Sequence, residues 1–117
     1  MSNYTIGIDC GLDGGFAIID NHTGQLVKRF ITPTQNLGKG RRIDTHEIDT
    51  IFKLIAEKIK AGDNWQAIVE DPGKHAPGAA GLWSMTFCFA TIEALLISHR
   101  IRHHIVGSQK WQKSFWT

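Results

Sequence analysis

The chain of 117 residues lacks any uninterrupted run of 18 apolar residues, so on that criterion no segment is expected to span a membrane. Its N-terminus, Met1-Ser2-Asn3-Tyr4, lacks the basic stretch and apolar core of a secretory leader. It has only two cysteines, Cys10 and Cys88, far apart and without metal-type spacing. Both read as reduced thiols in a core or at a strand end, and a cytoplasmic location is expected. There are no repeats and no low-complexity segments. Acid is nearly absent from one part of the chain: residues 72–117 hold 5 Lys/Arg and a single acid, Glu93, whereas residues 1–71 hold 8 Lys/Arg and 10 Asp/Glu. The same basic part carries four of the six histidines. A polyanion would be drawn there and to Lys39-Gly40-Arg41-Arg42, although for charge alone solvated faces are the favoured explanation.

What is present is a packed α/β domain, with hydrophobic residues making up 42% of the chain. Tyr4–Asp9, Phe16–Asp20 and Leu26–Thr32 read as strands separated by the turn signals Gly14-Gly15 and Asn21-His22-Thr23-Gly24. Turns this short make an antiparallel meander. Residues 33–43 are polar and Gly-rich and read as a mobile loop. Asp44 with Glu47 three residues on is a capping pair. Ile48, Ile51, Phe52, Ile55 and Ile59 then form one apolar stripe of a helix. Gln66–Glu70 reads as the fourth strand, 72–82 as a Gly/Pro-rich loop, and Trp83–His99 as a second helix, apolar nearly all round. A sheet would cover one side of that helix and a partner subunit the other. Arg102–Val106 reads as the fifth strand. Ser108 reads as the N-cap of a third helix bearing Trp111 and Phe115. That helix has no stop signal before Thr117, so the chain is expected to end inside an element that was once longer. Residues 1–117 are expected to form a single domain.

Two apolar runs end in acids. Ile6-Gly7-Ile8-Asp9 is followed by Cys10-Gly11-Leu12, and Ala67-Ile68-Val69-Glu70 by Asp71-Pro72-Gly73. If these strands are neighbours, Asp9 and Glu70 meet at one sheet edge, where two carboxylates repel unless a cation lies between them. A hard divalent ion, Mg²⁺ or Mn²⁺, suits oxygen ligands. Asp71 alternates to the other face and reads as a turn residue before Pro72. Asp13 reads as a turn residue in reach of an outer-shell contact. His103 and His104 alternate faces and have no Cys, Asp or Glu near them in sequence, which argues against zinc.

The order strand-strand-strand-helix-strand-helix-strand-helix, with right-handed crossovers, is that of the ribonuclease H-like fold. The expected sheet is mixed and five-stranded, three antiparallel meander strands plus two parallel ones, flanked by helices. Ile6-Gly7-Ile8-Asp9-Cys10-Gly11-Leu12 with Gly15-Phe16-Ala17, Ile68-Val69-Glu70-Asp71-Pro72-Gly73, and Val106-Gly107-Ser108-Gln109-Lys110-Trp111-Gln112-Lys113 resemble, in order, the three motifs of the RuvC-type Holliday-junction resolvases, and most closely the small phage and plasmid members. Cys10 stands where that family commonly has Pro, and Asp71 where a neutral residue is usual. The resemblance implies a metal-dependent endonuclease cleaving branched DNA as a homodimer, in recombination and repair. It carries over Asp9 and Glu70 as catalytic metal ligands. It also implies Lys113 or Lys110 beside the scissile phosphate. Lys74 and His75 would approach the junction backbone together with Lys39, Arg41 and Arg42. The family's two remaining acids lie on its last helix, beyond Thr117. Trp83 and Phe87 are expected to pack in a core or interface rather than stack on bases.

Two other readings compete. One is a junction-binding module that does not cut, because those last acids are missing. The other is a fragment of a sugar-kinase or chaperone-type ATPase, which shares a Gly-Ile-Asp-x-Gly strand with this chain. Such ATPases need a second lobe, and they favour Thr or Ser where Leu12-Asp13 stand.

Overall fold

The computed structural model describes residues 2–38, 40–71 and 78–107. Its centre is a five-stranded sheet. β1 (Asn3–Asp9), β2 (Gly15–Asp20) and β3 (Leu26–Ile31) form the antiparallel meander. β4 (Thr34–Asn36) and β5 (Arg41–Ile43) form a separate small hairpin. α1 (Thr45–Lys60), β6 (Asn64–Asp71), α2 (Gly78–Ser98) and β7 (His103–Gly107) follow. The sheet order is β3-β2-β1-β6-β7, with β1·β6 and β6·β7 parallel. The expected mixed sheet is therefore present.

The alternation of side chains decides what each face does. Ile6 and Ile8 of β1 and Cys10 just after it, with Phe16, Trp65, Ala67 and Val69, belong to one buried cluster with Ile48, Phe52 and Ile55 of α1 and Cys88, Ile92 and Leu96 of α2. Both helices thus cover the same face. Each fully buried Ile, Leu or Phe there contributes about 1.5–3 kcal/mol relative to exposure. Phe16 stacks on Phe30 across the meander with ring centroids 5.1 Å apart. The opposite face presents Thr5, Gly7 and Asp9 beside Gln66, Ile68 and Glu70.

α1 begins as the capping pair requires. The Asp44 side chain accepts the Glu47 backbone N–H at 3.1 Å, and Lys58 and Lys60 sit in the last turn, where the helix dipole favours cations. Replacing Asp44 by Ala is expected to cost about 1 kcal/mol, read as a lower urea midpoint with an unchanged slope.

Three expectations are corrected. Residues 33–43 are not simply a loop: Thr34 pairs with Ile43, Gln35 with Arg42 and Asn36 with Arg41, and the buried Ile43 anchors the hairpin to the core. The second helix starts at Gly78, five residues before Trp83, so 78–82 are helical rather than loop. The window Gly81–Ser98 is also, by length and composition alone, long and apolar enough to cross a bilayer, with mean hydropathy 1.5. Here the helix instead lies on the sheet through Cys88, Ile92 and Leu96, and its Glu93 meets His103 at 3.5 Å. Leu82, Trp83 and Ile97 on its other side are exposed. The expected third helix, with Trp111 and Phe115, lies outside the described residues.

Candidate active site

β1 and β6 run parallel and in register from Asn3↔Asn64 to Ile8↔Val69. The next residue on each strand is an acid, so Asp9 and Glu70 stand side by side where the strands end. The inference from two separate motifs is realised through a single parallel pairing. Glu70 is 8% exposed, and its Oε2 is buried without a hydrogen-bond partner among the described residues. Burial, then a hydrogen bond with Glu70, then repulsion by its charge push the Asp9 carboxyl up to about 7. In the absence of a cation the Asp9 carboxyl therefore keeps its proton up to about pH 7.

This environment fits a hard divalent ion. Both groups are carboxylates, and an orphaned buried oxygen is what a bound cation would satisfy. The described residues supply only this pair: no group of three or more His, Cys, Asp or Glu side chains among them is arranged to hold a metal.

The turn after Asp9 positions the pair. Gly14 N–H donates to the Gly11 carbonyl at 3.2 Å, and Thr32 N–H to the Gly14 carbonyl at 3.1 Å. A Cβ on Gly14 would overlap the Asp9 carbonyl oxygen. Gly11 has φ +129°, a backbone region that side chains other than glycine's rarely enter. Gly14→Ala is therefore expected to destabilise the fold by about 1–3 kcal/mol through overpacking and to disturb Asp9 directly. Chemical denaturation measures the first effect and metal titration the second.

The surroundings of Asp9 include cations. Arg41 of β5 donates to Asp13 at 2.7 Å, bridging the hairpin to the turn beside Asp9. Asp13, read as a turn residue, is thus an ion-pair partner. Arg29 of β3 lines the same groove as Asp9 and Asp13. It was not singled out from the sequence, where the basic pair Lys28-Arg29 was its only signal. The Arg42 guanidinium lies over the Phe87 ring, 5.9 Å from its centroid. Phe87 stacks on Trp83 with centroids 5.3 Å apart and planes 6° apart. Trp83 is 61% exposed, so of the expected core or interface packing the core is excluded within this chain. Asp71 is exposed at the end of β6. His104 is exposed, whereas His103 faces Glu93. Lys39, Lys74, His75, Lys110 and Lys113 lie outside the described residues.

The structure also joins what the sequence separates. Cys10 and Cys88 are both buried in one cluster, close enough for each thiol to perturb the other. That contact, with burial and the nearby acids, raises the Cys10 thiol, and the same contact lowers that of Cys88.

The strand order and crossovers, with an acid pair ending the two central strands, define an α/β fold of the ribonuclease H-like type. Two solved structures share it. T. thermophilus RuvC in complex with a Holliday junction substrate matches with a TM-score of 0.67 and 9% identity, over 95% of this chain and 68% of its own. A second Thermus thermophilus RuvC structure matches with a TM-score of 0.52 and 8% identity, over 94% of this chain and 67% of its own. No protein-family profile matches the chain, and no curated protein matches it in sequence.

Proposed function

We propose that this protein is a divalent-metal-dependent endonuclease that hydrolyses phosphodiester bonds in branched DNA, in the manner of a Holliday-junction resolvase. The observation that carries the reading is the Asp9–Glu70 pair, brought together at the end of adjacent parallel strands in a fold shared with a protein solved on a Holliday junction. Asp9 and Glu70 would hold Mg²⁺ or Mn²⁺ through their carboxylate oxygens. A bound ion of this kind lowers the pKa of a water and offsets charge on the phosphate. Asp9 would have to give up its proton to serve as a ligand, and the buried Glu70 Oε2 would gain a partner. Lys113, by the resemblance, would offset charge developing on the phosphorus oxygens. Arg41, Arg42, Lys39, Lys74, His75 and Lys110 would hold the backbone of the DNA.

A four-way junction has two symmetry-related strands to nick, which calls for a homodimer. The exposed Leu82, Trp83 and Ile97 of α2 offer an apolar surface for it. A cytoplasmic site of action belongs to the same proposal.

The test is binding and cleavage of a labelled four-way junction beside a linear duplex of the same arms, with Mn²⁺ and with chelator. Metal-dependent nicking of the junction alone supports the proposal. Tight junction binding without nicking in Mn²⁺ would make the chain a binding module, which the presence of only two clustered acids among the described residues also favours. If Lys39, Arg41, Arg42, Lys74, Lys110 and Lys113 all meet phosphates, log affinity is expected to fall against log salt with a slope of about −5. The Asp13 partner of Arg41 makes the slope shallower, because that ion pair must open first. A flat salt dependence would argue against a nucleic-acid partner.

A further inference from the structure

We infer that Cys10 and Cys88 form a reversible dithiol–disulfide site that staples the acid-bearing end of β1 to α2. Cys10 follows Asp9 directly and faces the helices, while Asp9 faces away from them. Cys88 occupies the buried stripe of α2, 0% exposed, between the sheet and the helix. Both side chains belong to the same buried cluster, and each thiol perturbs the other's titration. The Gly11 N–H points at the Cys88 sulfur, 3.5 Å away. The backbone step immediately after Cys10 is thus already tied to the partner thiol, which holds the two side chains near each other.

Cys88 is fully buried, and Cys10 is the member of the pair that solvent reaches. Cys10 lines a groove that opens between the Gly11–Gly14 turn and the start of α2, where Gly81, Ser84 and Met85 form the opposite wall. Hydrogen peroxide fits such an approach. Two S–H bonds break and one S–S bond forms. The two thiols lose two electrons and two protons, which pass to the peroxide as its O–O bond breaks and two waters leave. A dithiol reductant reverses the step by thiol–disulfide exchange. The bond would close a loop holding most of the sheet and all of α1, and loops of that length give a disulfide its largest effect on the unfolded chain.

The experiment uses the 117-residue chain treated with hydrogen peroxide, quenched, then alkylated in denaturant. The expected product is a monomer lighter by two hydrogens that resists alkylation. Its unreduced digest should contain the Cys10 peptide joined to the Cys88 peptide. Dithiothreitol should restore two alkylatable thiols. The oxidised chain is expected to melt several degrees higher than the reduced one, and Cys10→Ala should abolish both the joined peptide and the shift. Full alkylation after peroxide, separate oxidation of each sulfur to the sulfinic acid, or joining only between two chains would overturn the inference. None of these readouts depends on nuclease activity or metal binding.

Discussion

Replacing Asp9 by Asn, or Glu70 by Gln, is expected to lower metal-dependent cleavage of a four-way junction by roughly two to three orders of magnitude or more, with junction affinity nearly unchanged. Each substitution keeps the shape of the side chain and removes one anionic ligand. The two carboxyls stand at the ends of paired parallel strands and repel each other. Removing either charge relieves that repulsion, so both variants should be more stable than the parent in chelator. Higher stability with lost cleavage separates a ligand from a structural residue, whose replacement would lower both. Cleavage by Asp9→Asn at the parent rate would remove Asp9 from the mechanism. Weakened junction binding equal to the loss of cleavage would mean the pair holds DNA rather than an ion.

Metal affinity is expected to rise nearly tenfold per pH unit up to about pH 7 and to level off above it, because Asp9 must lose a proton held at about 7 to become a ligand. Burial is the leading cause of that shift, ahead of the hydrogen bond and charge of Glu70. The sign for stability follows from linkage. The folded state holds the Asp9 proton more tightly than the unfolded chain, whose carboxyl has its usual value of 3.8. The contribution to stability is therefore full below about pH 4 and is lost as pH rises through about 7. Asp9 is only half-buried, and solvent screening reduces the effect to about 1–2 kcal/mol. Saturating Mn²⁺ should cancel the loss, because the ion stabilises the ionised pair. Calorimetric Mn²⁺ titrations and melting curves between about pH 5 and pH 8 measure both effects. A flat Mn²⁺ affinity across that range would detach Asp9 from the ion.

Much of this site is legible in the chain because it rests on local signals. The alternation through Ile6, Ile8 and the acid at position 9, and the apolar run into Glu70, fix two strand ends. Asp44, Glu47 and the Ile48–Phe52–Ile55 stripe fix the crossover helix that makes those strands parallel. What escaped has no local signature. The β4–β5 hairpin is three residues per strand in a polar, Gly-rich stretch, and only Ile43 betrays its contact with the core. The first turn of α2, Gly-Ala-Ala-Gly, carries two glycines and continues a Gly/Pro-rich run, so the reading began at Trp83. Arg41 with Asp13, and Cys10 with Cys88, are tertiary meetings that no spacing encodes.

The partner of β1 on one side is its immediate successor in the chain, and on the other a strand that arrives only after the hairpin and all of α1. The meander closes short loops and can form early. The Asp9–Glu70 edge must wait for about sixty residues to be gathered back against β1, a slower and more entropically demanding step. During synthesis, and after any partial opening, the meander with Asp9 at its edge exists before Glu70 joins it. The Asp9–Glu70 edge is thus expected to assemble late, and a chain folded only through the meander holds one acid without the other.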